Sequence, residues 1–600
     1  MKIRKEKILL NISLIISFLL GCFCWKYINL EFNDPGIRGI YADNQFNAFN
    51  EILRYIVFIF FPISTYLIYN FFFEENTLDK IKFFFITKEN NFSKKIIYIN
   101  ICFSIIILII LLEFLSINFP NHLIDTYHEG QKLSSAYKSY LDGSLWSGSY
   151  ITVGIFYETL SSKFIWQLFD HISIGLTRFT DVVYILVLKV ALIVLCYLVT
   201  KQTSLKPILA NLFFIINATF LVSLLDYNTA TLDLISYREI PIIFLTILFI
   251  MTNLMNNNIL VLILISLMSI LSMFWGVDRG LVCNFLIILM LINFFLQKDF
   301  KKLFYLVGFI SLFWLFFYLF NKVEFFYFLE NTFLIIKDFG YIYGIIHPVP
   351  FSDDMNSSRA TKTLFLIVLS LIVSLSLIFT KEKHFPLQFK RLLLFLAIIG
   401  TTSYLYALGR SDGPHIKQIF GFQIIFFSFF IFNEILNKFS NKIGSLVSMI
   451  SITIIITIFL FFSNIKLNNI LSYQERLVKY LYKPDSNFLS KQDNLTINEL
   501  KSYSFQDNCI DLFTYDASIL YLLRKKSCTK YYFINSLGSK DNQRKFIKEI
   551  GVKTKYIITN GKTDYWDPIH KKYAIVNDFI STNFYLDKDA SYMIMKINKN

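Results

Sequence analysis

The sequence has few charged residues and few cysteines. Only 17% of its 600 residues are charged, against about 25% in an ordinary soluble domain. This low charge content argues against a disordered protein, because disordered chains are rich in charge and poor in hydrophobic residues. Seven cysteines in a chain of this length exclude a disulfide-dense secreted domain.

Motifs of several large enzyme classes are also missing. The chain has no Walker phosphate-binding loop, no G-x-S-x-G nucleophile elbow, no H-E-x-x-H zinc motif and no paired C-x-x-C. Nothing in the sequence therefore suggests ATP, haem or structural zinc.

Hydrophobic residues dominate the chain. They make up 55% of it, Phe alone contributes 67 residues, and the mean hydropathy is +0.52. Apolar runs long enough to cross a bilayer recur through the first three quarters of the sequence. One water-soluble core cannot hold this much apolar surface, so the sequence predicts a polytopic membrane protein and not a soluble enzyme.

The predicted fold class is mainly α, a bundle of about thirteen transmembrane helices followed by a small C-terminal α/β domain. The candidate spans are 8–25, 52–73, 96–115, 182–200, 207–225, 240–256, 259–276, 280–297, 303–320, 363–380, 391–408, 416–434 and 445–463. The basic N-terminus followed by an apolar run has the form of a signal peptide, but no clean small-residue cleavage site follows it. We therefore interpret the first span as an uncleaved signal anchor.

Four regions follow from these spans. They are three N-terminal spans in 1–115, an outer loop in 116–181, a ten-span bundle in 182–463 and an α/β domain in 464–600. The net charge of +15 fits this division, because many cations lie in the alternate gaps that would be cytoplasmic, such as Lys80, Lys201 and Lys298. We interpret the charge as a topology signal and not as a nucleic-acid site. The N-terminus is then cytoplasmic, as in a bacterial inner membrane protein whose C-terminal domain is periplasmic.

The C-terminal region has the pattern of a small α/β domain. Residues 510–515, 530–534 and 555–559 read as strands, with helices predicted at 517–524 and 541–550. Cys509 and Cys528 would each begin one of two neighbouring parallel strands, at the same edge of the sheet. Outside the cytoplasm this arrangement favours a disulfide, although two unpaired thiols are the alternative.

The longest outer loop contains an acidic motif. Asp125, His128 and Glu129 lie within five residues, just before a short amphipathic helix that would end at Gly143. Two carboxylates and an imidazole at the mouth of a bundle could accept a proton or bind a divalent cation. The structural alternative is a capping box formed by Thr126 and Glu129, which leaves Asp125 and His128 unexplained.

Other polar groups map to the same side of the membrane. Arg238 precedes the sixth span, and Asp278 and Arg279 follow the seventh. Opposite charges this close could simply neutralise each other. A Gly/Pro-bounded turn between the eleventh and twelfth spans holds three cationic or near-cationic groups that suit a phosphate, together with one acid. They are Arg410, His415 and Lys417, and the acid is Asp412.

Two outer loops carry a family resemblance. The first contains Asp125-Thr126-Tyr127-His128-Glu129-Gly130, Leu133, Ala136, Tyr140-Leu141-Asp142-Gly143, Trp146, Tyr150 and Gly154. The second is Gly409-Arg410-Ser411-Asp412-Gly413-Pro414-His415. Together with the architecture, they resemble the GT-C type membrane glycosyltransferases, in the bacterial branch related to protein mannosyltransferases and aminoarabinose transferase.

The resemblance implies transfer of a sugar, with inversion, from a polyprenyl-phosphate donor to a glycan, lipid or protein acceptor outside the cytoplasm. The candidate catalytic residues are Asp125, Glu129 and His128. A carboxylate would deprotonate the acceptor hydroxyl or hold a divalent cation, Mg²⁺ or Mn²⁺, with Asp125 and Glu129 as its ligands. The candidates for binding the donor phosphate are Arg410, His415, Lys417 and Arg279, supported by Asp278, Asp412 and Arg238.

The chain departs from the family pattern in two ways. The acidic loop follows the third span and not the first, which implies two added N-terminal spans. The loop also lacks an adjacent Asp-Asp or Asp-Glu pair, so both Asp125 and Glu129 remain candidates for the catalytic carboxylate.

Two other functions share this topology. A lipid-linked oligosaccharide polymerase or ligase would take a polymeric donor, and a polysaccharide-lipid transporter or flippase would perform no chemistry. Transporters are often built from internal repeats with broken helices at the middle of the membrane. The sequence shows no such repeat, and its polar groups gather at one side of the membrane, which favours the enzyme.

Fusions to alkaline phosphatase, which is active only outside the cytoplasm, test the predicted orientation. A fusion after residue 470 should be active and a fusion at His384 inactive, because an odd number of spans separates the two ends of the chain. The reverse pattern would place the acidic loop in the cytoplasm and contradict an outer-face donor.

Overall fold

The structure is a computed structural model, and most of its residues are helical. It describes residues 2–31, 38–39, 42–73, 76–87, 97–227, 234–254, 259–354, 356–379, 385–439, 453, 465–559, 569–589 and 591–598. The described strands form one small sheet near the C-terminus. This arrangement confirms the predicted class, a helical membrane bundle with a small C-terminal α/β domain.

Sixteen helices precede residue 440 within the described ranges. They are α1 (Lys2–Tyr27), α2 (Ala48–Phe73), α3 (Thr77–Ile86), α4 (Ile97–Ser116), α5 (His128–Asp142), α6 (Ser161–Phe169), α7 (Ile174–Thr200), α8 (Pro207–Ser223), α9 (Ile240–Leu254), α10 (Ile259–Trp275), α11 (Val277–Leu296), α12 (Phe300–Phe320), α13 (Lys322–Tyr343), α14 (Ser357–Phe379), α15 (Leu387–Gly409) and α16 (Gly413–Phe439). The largest apolar core cluster lies mainly between α7, α8, α9, α11, α15 and α16.

The structure does not confirm the count of thirteen spans. Among the described residues, ten helices are long and apolar enough to cross a membrane, and two shorter apolar helices, α8 and α10, match two further predicted spans. The last predicted span, 445–463, lies outside the described residues except for Thr453. The chain is therefore a multi-pass membrane protein with at least ten candidate spans.

The start of α7 differs from the predicted span at 182. The Ser173 side chain accepts a hydrogen bond from the Leu176 N–H and caps a helix that begins at Ile174. Serine is a preferred residue at this position because its oxygen satisfies an N–H that the helix leaves unpaired. Two further turns, including Arg178 and Asp181, therefore belong to α7.

Helix α5 is deeply buried within the protein. Residues 130–139 are all buried, including Leu133 and Ala136, which are fully covered. The helix ends at Gly143, which has φ +76°, a left-handed conformation that glycine adopts without steric cost. The predicted helix and its end are thus present, but its apolar face packs against the C-terminal residues.

The C-terminal sheet differs from the predicted three-stranded order. Its strands are β1 (Asp511–Phe513), β2 (Tyr556–Thr559), β3 (Phe584–Asp589) and β4 (Met593–Ile597), in the order β1-β2-β4-β3. β1 and β2 are parallel, with Asp511 opposite Ile557, whereas β4 runs antiparallel to both β2 and β3. The surrounding helices are Leu467–Leu471, Tyr473–Leu481, Lys491–Ser502, Ser518–Leu522, Lys540–Lys553, Ile569–Lys572 and Ala574–Asn583.

The strand predicted at 530–534 is wrong. The Lys530 carbonyl accepts a hydrogen bond from the Tyr150 backbone N–H at 2.8 Å, so this segment pairs with the outer loop and not with the sheet. A 3₁₀ helix, Ile534–Leu537, follows it. Cys509 and Cys528 are nevertheless joined by a disulfide, and Cys509 forms an isolated parallel bridge with Lys526.

Candidate active site

A single cavity of about 1500 Å³ joins the acidic loop to the cationic groups of the bundle. Ordinary small-molecule pockets enclose about 300–1,000 Å³, so this cavity is large enough for an extended substrate. Eight of the residues predicted from the sequence line it. They are Asp125, His128, Glu129, Arg238, Asp278, Arg279, Arg410 and His415.

Two predicted residues are placed differently. Asp412 contacts Arg410 and His415 but does not line the cavity. Lys417 is exposed on α16 and also lies outside the cavity lining. The expected trio of cations at this turn is therefore reduced to Arg410 and His415 on the cavity side.

Asp125 lies three residues before the first residue of α5, and its side chain is half exposed. One carboxylate oxygen accepts the backbone N–H groups of Tyr127 and His128, at 3.0 and 2.9 Å, and the other lies 2.7 Å from His128 Nδ1. Its side chain is 50% exposed and that of His128 is 64% exposed. Burial acts to raise the pKa of Asp125, but the bonds from His128 and Tyr127 outweigh it and hold the pKa below its ordinary value. Asp125 is thus an ionised group that faces the cavity.

The alternative interpretation, a capping box of Thr126 and Glu129, does not hold in the structure. Asp125 and not Thr126 accepts the N–H groups at the start of the helix, while the Thr126 hydroxyl donates to Asp516 at 2.6 Å. Glu129 does reach back, but it accepts the Asp125 N–H at 2.9 Å. The capping role and the candidate catalytic role therefore fall on the same carboxylate.

Glu129 is held by an arginine that sequence reasoning missed. Arg178 of α7 donates to both Glu129 oxygens, at 2.6 and 2.8 Å, and to the His122 carbonyl at 2.8 Å. The Arg178 side chain is 3% exposed, whereas that of Glu129 is 23% exposed. A paired fork of this kind fixes a carboxylate in place. The signal in the sequence was Arg178 and Asp181, three residues apart, beside an apolar run.

Asp125 and Glu129 do not fit a divalent cation. Both Glu129 oxygens accept bonds from Arg178, and the Asp125 oxygens bond His128 and two backbone N–H groups. Cation sites for Mg²⁺ or Mn²⁺ use several oxygen ligands. No group of three or more His, Cys, Asp or Glu side chains with metal-binding geometry occurs among the residues that the structure describes.

An arginine pair, Arg238 and Arg279, also lines the cavity. Arg279, in the first turn of α11, bonds Asp278 and donates through Nε to Glu239 at 2.9 Å. Arg238 donates to the Tyr406 hydroxyl at 3.1 Å and lies 3.5 Å from Asp278 Oδ2. Asp278 therefore lies between two guanidinium groups. The Arg279 guanidinium lies 4.5 Å from the Tyr406 ring centroid, within cation–π distance.

Arg410 and His415 line the same cavity. Asp412 accepts from Arg410 Nε at 3.1 Å and contacts His415 Nδ1, so one carboxylate orients both groups. Burial acts to raise the pKa of Asp412, but His415 and Arg410 lower it to about 2. Burial disfavours the charge of Arg410, yet the oxygens of Tyr406 and Asp412 raise its pKa above the ordinary value. Arg410 is therefore a permanently charged group.

A third set of residues was not predicted from the sequence. Glu158, in a π-helical turn over Phe156–Leu160, is buried and accepts from the Thr152 hydroxyl at 2.9 Å and the Tyr532 hydroxyl at 3.0 Å. π-helical turns often occur at functional sites. Lys132 bonds Asp181 at 2.6 Å on the same cavity surface. Glu158, Lys132 and Asp181 line the cavity, and no local sequence pattern predicts their contacts.

Comparison with known proteins identifies similar structures but no sequence family. No protein-family model and no curated protein matches the sequence. ArnT from Cupriavidus metallidurans bound to undecaprenyl phosphate gives a TM-score of 0.44 at 8% identity, over 82% of this chain and 97% of that chain. An oligosaccharyltransferase from Archaeoglobus fulgidus tethered with an acceptor peptide gives 0.42 at 11% identity, over 82% and 74%. Both are GT-C glycosyltransferases, the class that the two outer loops resemble.

The pair of Glu129 and Arg178 predicts a stability effect. Glu129→Gln keeps an acceptor for the Asp125 N–H but leaves the buried Arg178 guanidinium without a carboxylate. We expect a loss on the order of 3 kcal/mol, because breaking a buried ion pair leaves an uncompensated charge. Thermal unfolding of the detergent-solubilised protein measures it, with Glu475→Gln, at an exposed position, as the matched control. Equal unfolding midpoints for the two variants would contradict the role of the pair.

Proposed function

We propose that this chain is a membrane glycosyltransferase that moves a sugar from a polyprenyl-phosphate donor to an acceptor outside the cytoplasm. The observation that carries the proposal is the composition of one cavity. Its lining holds an exposed aspartate–histidine pair together with Arg238, Arg279 and Arg410. A transfer from a phosphate leaving group needs both a base and cations.

The arginines suit the donor phosphate. Arg238 comes just before α9, Arg279 is in the first turn of α11, and Arg410 directly follows α15. These helix ends lie on one side of the predicted bundle, where the phosphate of a membrane lipid would be found. Guanidinium groups bind phosphate oxygens through paired N–H donors and stabilise charge that develops on them. His415 contacts Asp412 through Nδ1, and burial disfavours its positive charge, so it would lie beside this phosphate as a neutral imidazole and the arginines would carry the charge.

Asp125 is our candidate for the base. Its carboxylate would remove the proton of the acceptor hydroxyl while that oxygen attacks the anomeric carbon of the sugar. The bond from this carbon to the phosphate oxygen would break, and the lipid phosphate would leave with the electron pair. A single displacement of this kind inverts the configuration at the sugar. His128, 2.7 Å from Asp125, would keep the carboxylate ionised.

Glu129 has a supporting role in this proposal. Its bond to the Asp125 N–H and its pairing with Arg178 fix the first turn of α5, so it is a positioning residue. The mechanism has no step that requires a divalent cation at Asp125 and Glu129. We further propose a bacterial inner membrane location, with the C-terminal domain in the periplasm, from the distribution of lysines along the sequence.

The decisive variant is Asp125→Asn. It keeps the size of the side chain and an acceptor oxygen for the helix N–H groups, but it removes the basic carboxylate. We expect turnover with a polyprenyl-phosphate sugar to fall about 10²-fold or more, the usual scale for general acid–base catalysis. Because the pKa of Asp125 is held below its ordinary value, wild-type transfer should persist into mildly acidic solution.

Asp170→Asn is the matched control for this experiment. Asp170 is an exposed residue at the end of α6 with φ +46°, a conformation that asparagine adopts readily. It should leave transfer unchanged. Normal transfer by the Asp125→Asn variant would defeat the assignment of Asp125 as the base. A wild-type protein that transfers no sugar would instead favour a transporter. Mass spectrometry of envelope glycans with and without the protein would then identify the sugar that is added or moved.

Arg410→Gln tests the donor site separately from the base. Losing a charged donor to a phosphate should raise the KM for the polyprenyl-phosphate sugar by roughly 10- to 100-fold, with a smaller change in kcat. Binding of polyprenyl phosphate without a sugar should weaken by a similar factor. Lys479→Gln, at an exposed position outside the cavity, is the control. An unchanged KM in the Arg410→Gln variant would show that the phosphate binds elsewhere.

A further inference from the structure

The disulfide between Cys509 and Cys528 closes a loop that lies against the start of α5. We call residues 509–528 the clamp loop. It contains β1 and the helix Ser518–Leu522, and its residues 516–518 face the segment that carries Asp125. The clamp loop and Asp125 are almost 400 residues apart in sequence, so this contact is produced entirely by the tertiary fold.

Two hydrogen bonds connect the clamp loop to the residue next to Asp125. The Thr126 hydroxyl donates to Asp516 Oδ1 at 2.6 Å, and the Ser518 backbone N–H donates to the Thr126 carbonyl at 3.0 Å. Both groups of Thr126 are thereby fixed from the same side. The backbone that leads directly out of Asp125 therefore has little freedom to move.

The first two turns of α5 also touch the clamp loop closely. A Cβ atom at Gly130 would lie 2.3 Å from the Ser518 nitrogen, so only glycine permits this approach. One turn later, the Ser134 hydroxyl donates to the Ala517 carbonyl at 2.6 Å. The glycine of the acidic motif thus has a structural reason, the backbone contact with Ser518.

The clamp loop is itself rigidly supported. Asp511 is fully buried and accepts from the Ser527 and Thr529 hydroxyls, both at 3.0 Å. These bonds tie the two ends of the loop together beside the disulfide. A support of this kind can hold a catalytic group in place, and a displacement of about 1 Å can cost 10²-fold in rate.

From these contacts we propose that Asp516 is a positioning residue, and that the clamp loop holds Asp125 in the orientation needed for transfer. The proposal rests on the function given above, since it concerns the same carboxylate. The clamp loop would act on turnover and not on donor affinity. It contacts the segment at the start of α5, whereas the proposed donor site consists of Arg238, Arg279 and Arg410.

Thr126→Val is the most direct test. Valine keeps the shape of threonine but removes the hydroxyl that reaches Asp516, whereas Thr126→Ser retains that hydroxyl. In the valine variant, kcat should fall roughly tenfold with the donor KM unchanged, about the factor for one hydrogen bond to a charged group. Hydrogen–deuterium exchange of peptides within 125–142 should rise by a similar factor. The serine variant should restore both quantities.

A second variant examines the loop as a whole. Replacing both Cys509 and Cys528 with alanine opens the clamp loop without touching any cavity residue. We expect faster exchange in 125–142 and a lower kcat, with an unchanged donor KM. The control is Asp578→Asn, an exposed site on the outer helix Ala574–Asn583, which should change neither. If the double alanine variant does not fold, Thr126→Val still decides the question.

The two readouts separate this proposal from the proposed function. Hydrogen–deuterium exchange could be faster in Thr126→Val but not in Thr126→Ser, in a protein that transfers no sugar. This result would support the contact between the clamp loop and α5 and would refute the proposed glycosyltransferase function. Exchange and kcat of Thr126→Val equal to those of the wild type, in a protein that Asp125→Asn inactivates, would overturn the clamp alone. A parallel loss of donor affinity in Thr126→Val would also overturn the clamp proposal, because the loop would then act on the arginines of the proposed donor site.

Discussion

The cavity depends on one constraint, which is that a buried guanidinium group must keep a carboxylate within reach. An isolated buried charge is strongly unfavourable, so arginine is retained in such places only with a partner. Arg178 has Glu129, Arg279 has Glu239 and Asp278, and Arg410 has Asp412. The pairs of Arg178 and Arg279 join separate elements, and the pair of Arg410 and Asp412 lies in the turn between α15 and α16. The positions of the cations thus follow from the positions of the acids.

Hydropathy determines most of the bundle, and for that reason the sequence could predict it. Twelve of the thirteen predicted spans overlap a described helix, since a bilayer demands about twenty apolar residues in a row. The same measure cannot locate helix ends that continue into polar sequence. Helix α7 begins at Ile174 because of the Ser173 cap, and its first two turns contain charges that a hydropathy window treats as loop.

The site was only partly predictable, because its decisive contacts are not local. Asp125, Arg279 and Arg410 stand out in polar turns between apolar runs, and they do line one cavity. Glu158 and Tyr532 gave no such signal, and Arg178 gave only its position near Asp181 beside an apolar run. The partners of all three residues lie in other elements. The alternative of a capping box with Thr126 as the capping residue does not hold for a different reason. Asp125 and Thr126 are both good capping residues, and the bond from Thr126 to Asp516 selects between them.

The pairing of the arginines is compatible with a phosphate ligand. A guanidinium group has five N–H donors in a fixed fork, and a carboxylate orients this fork without removing its positive charge. Glu129, Asp181 and Asp278 each pair with a lysine or an arginine. Asp125 instead pairs with His128, and both of these side chains are at least half exposed. The cavity lining therefore holds two kinds of charged pair, largely covered pairs with lysine or arginine and the more exposed pair of Asp125 and His128.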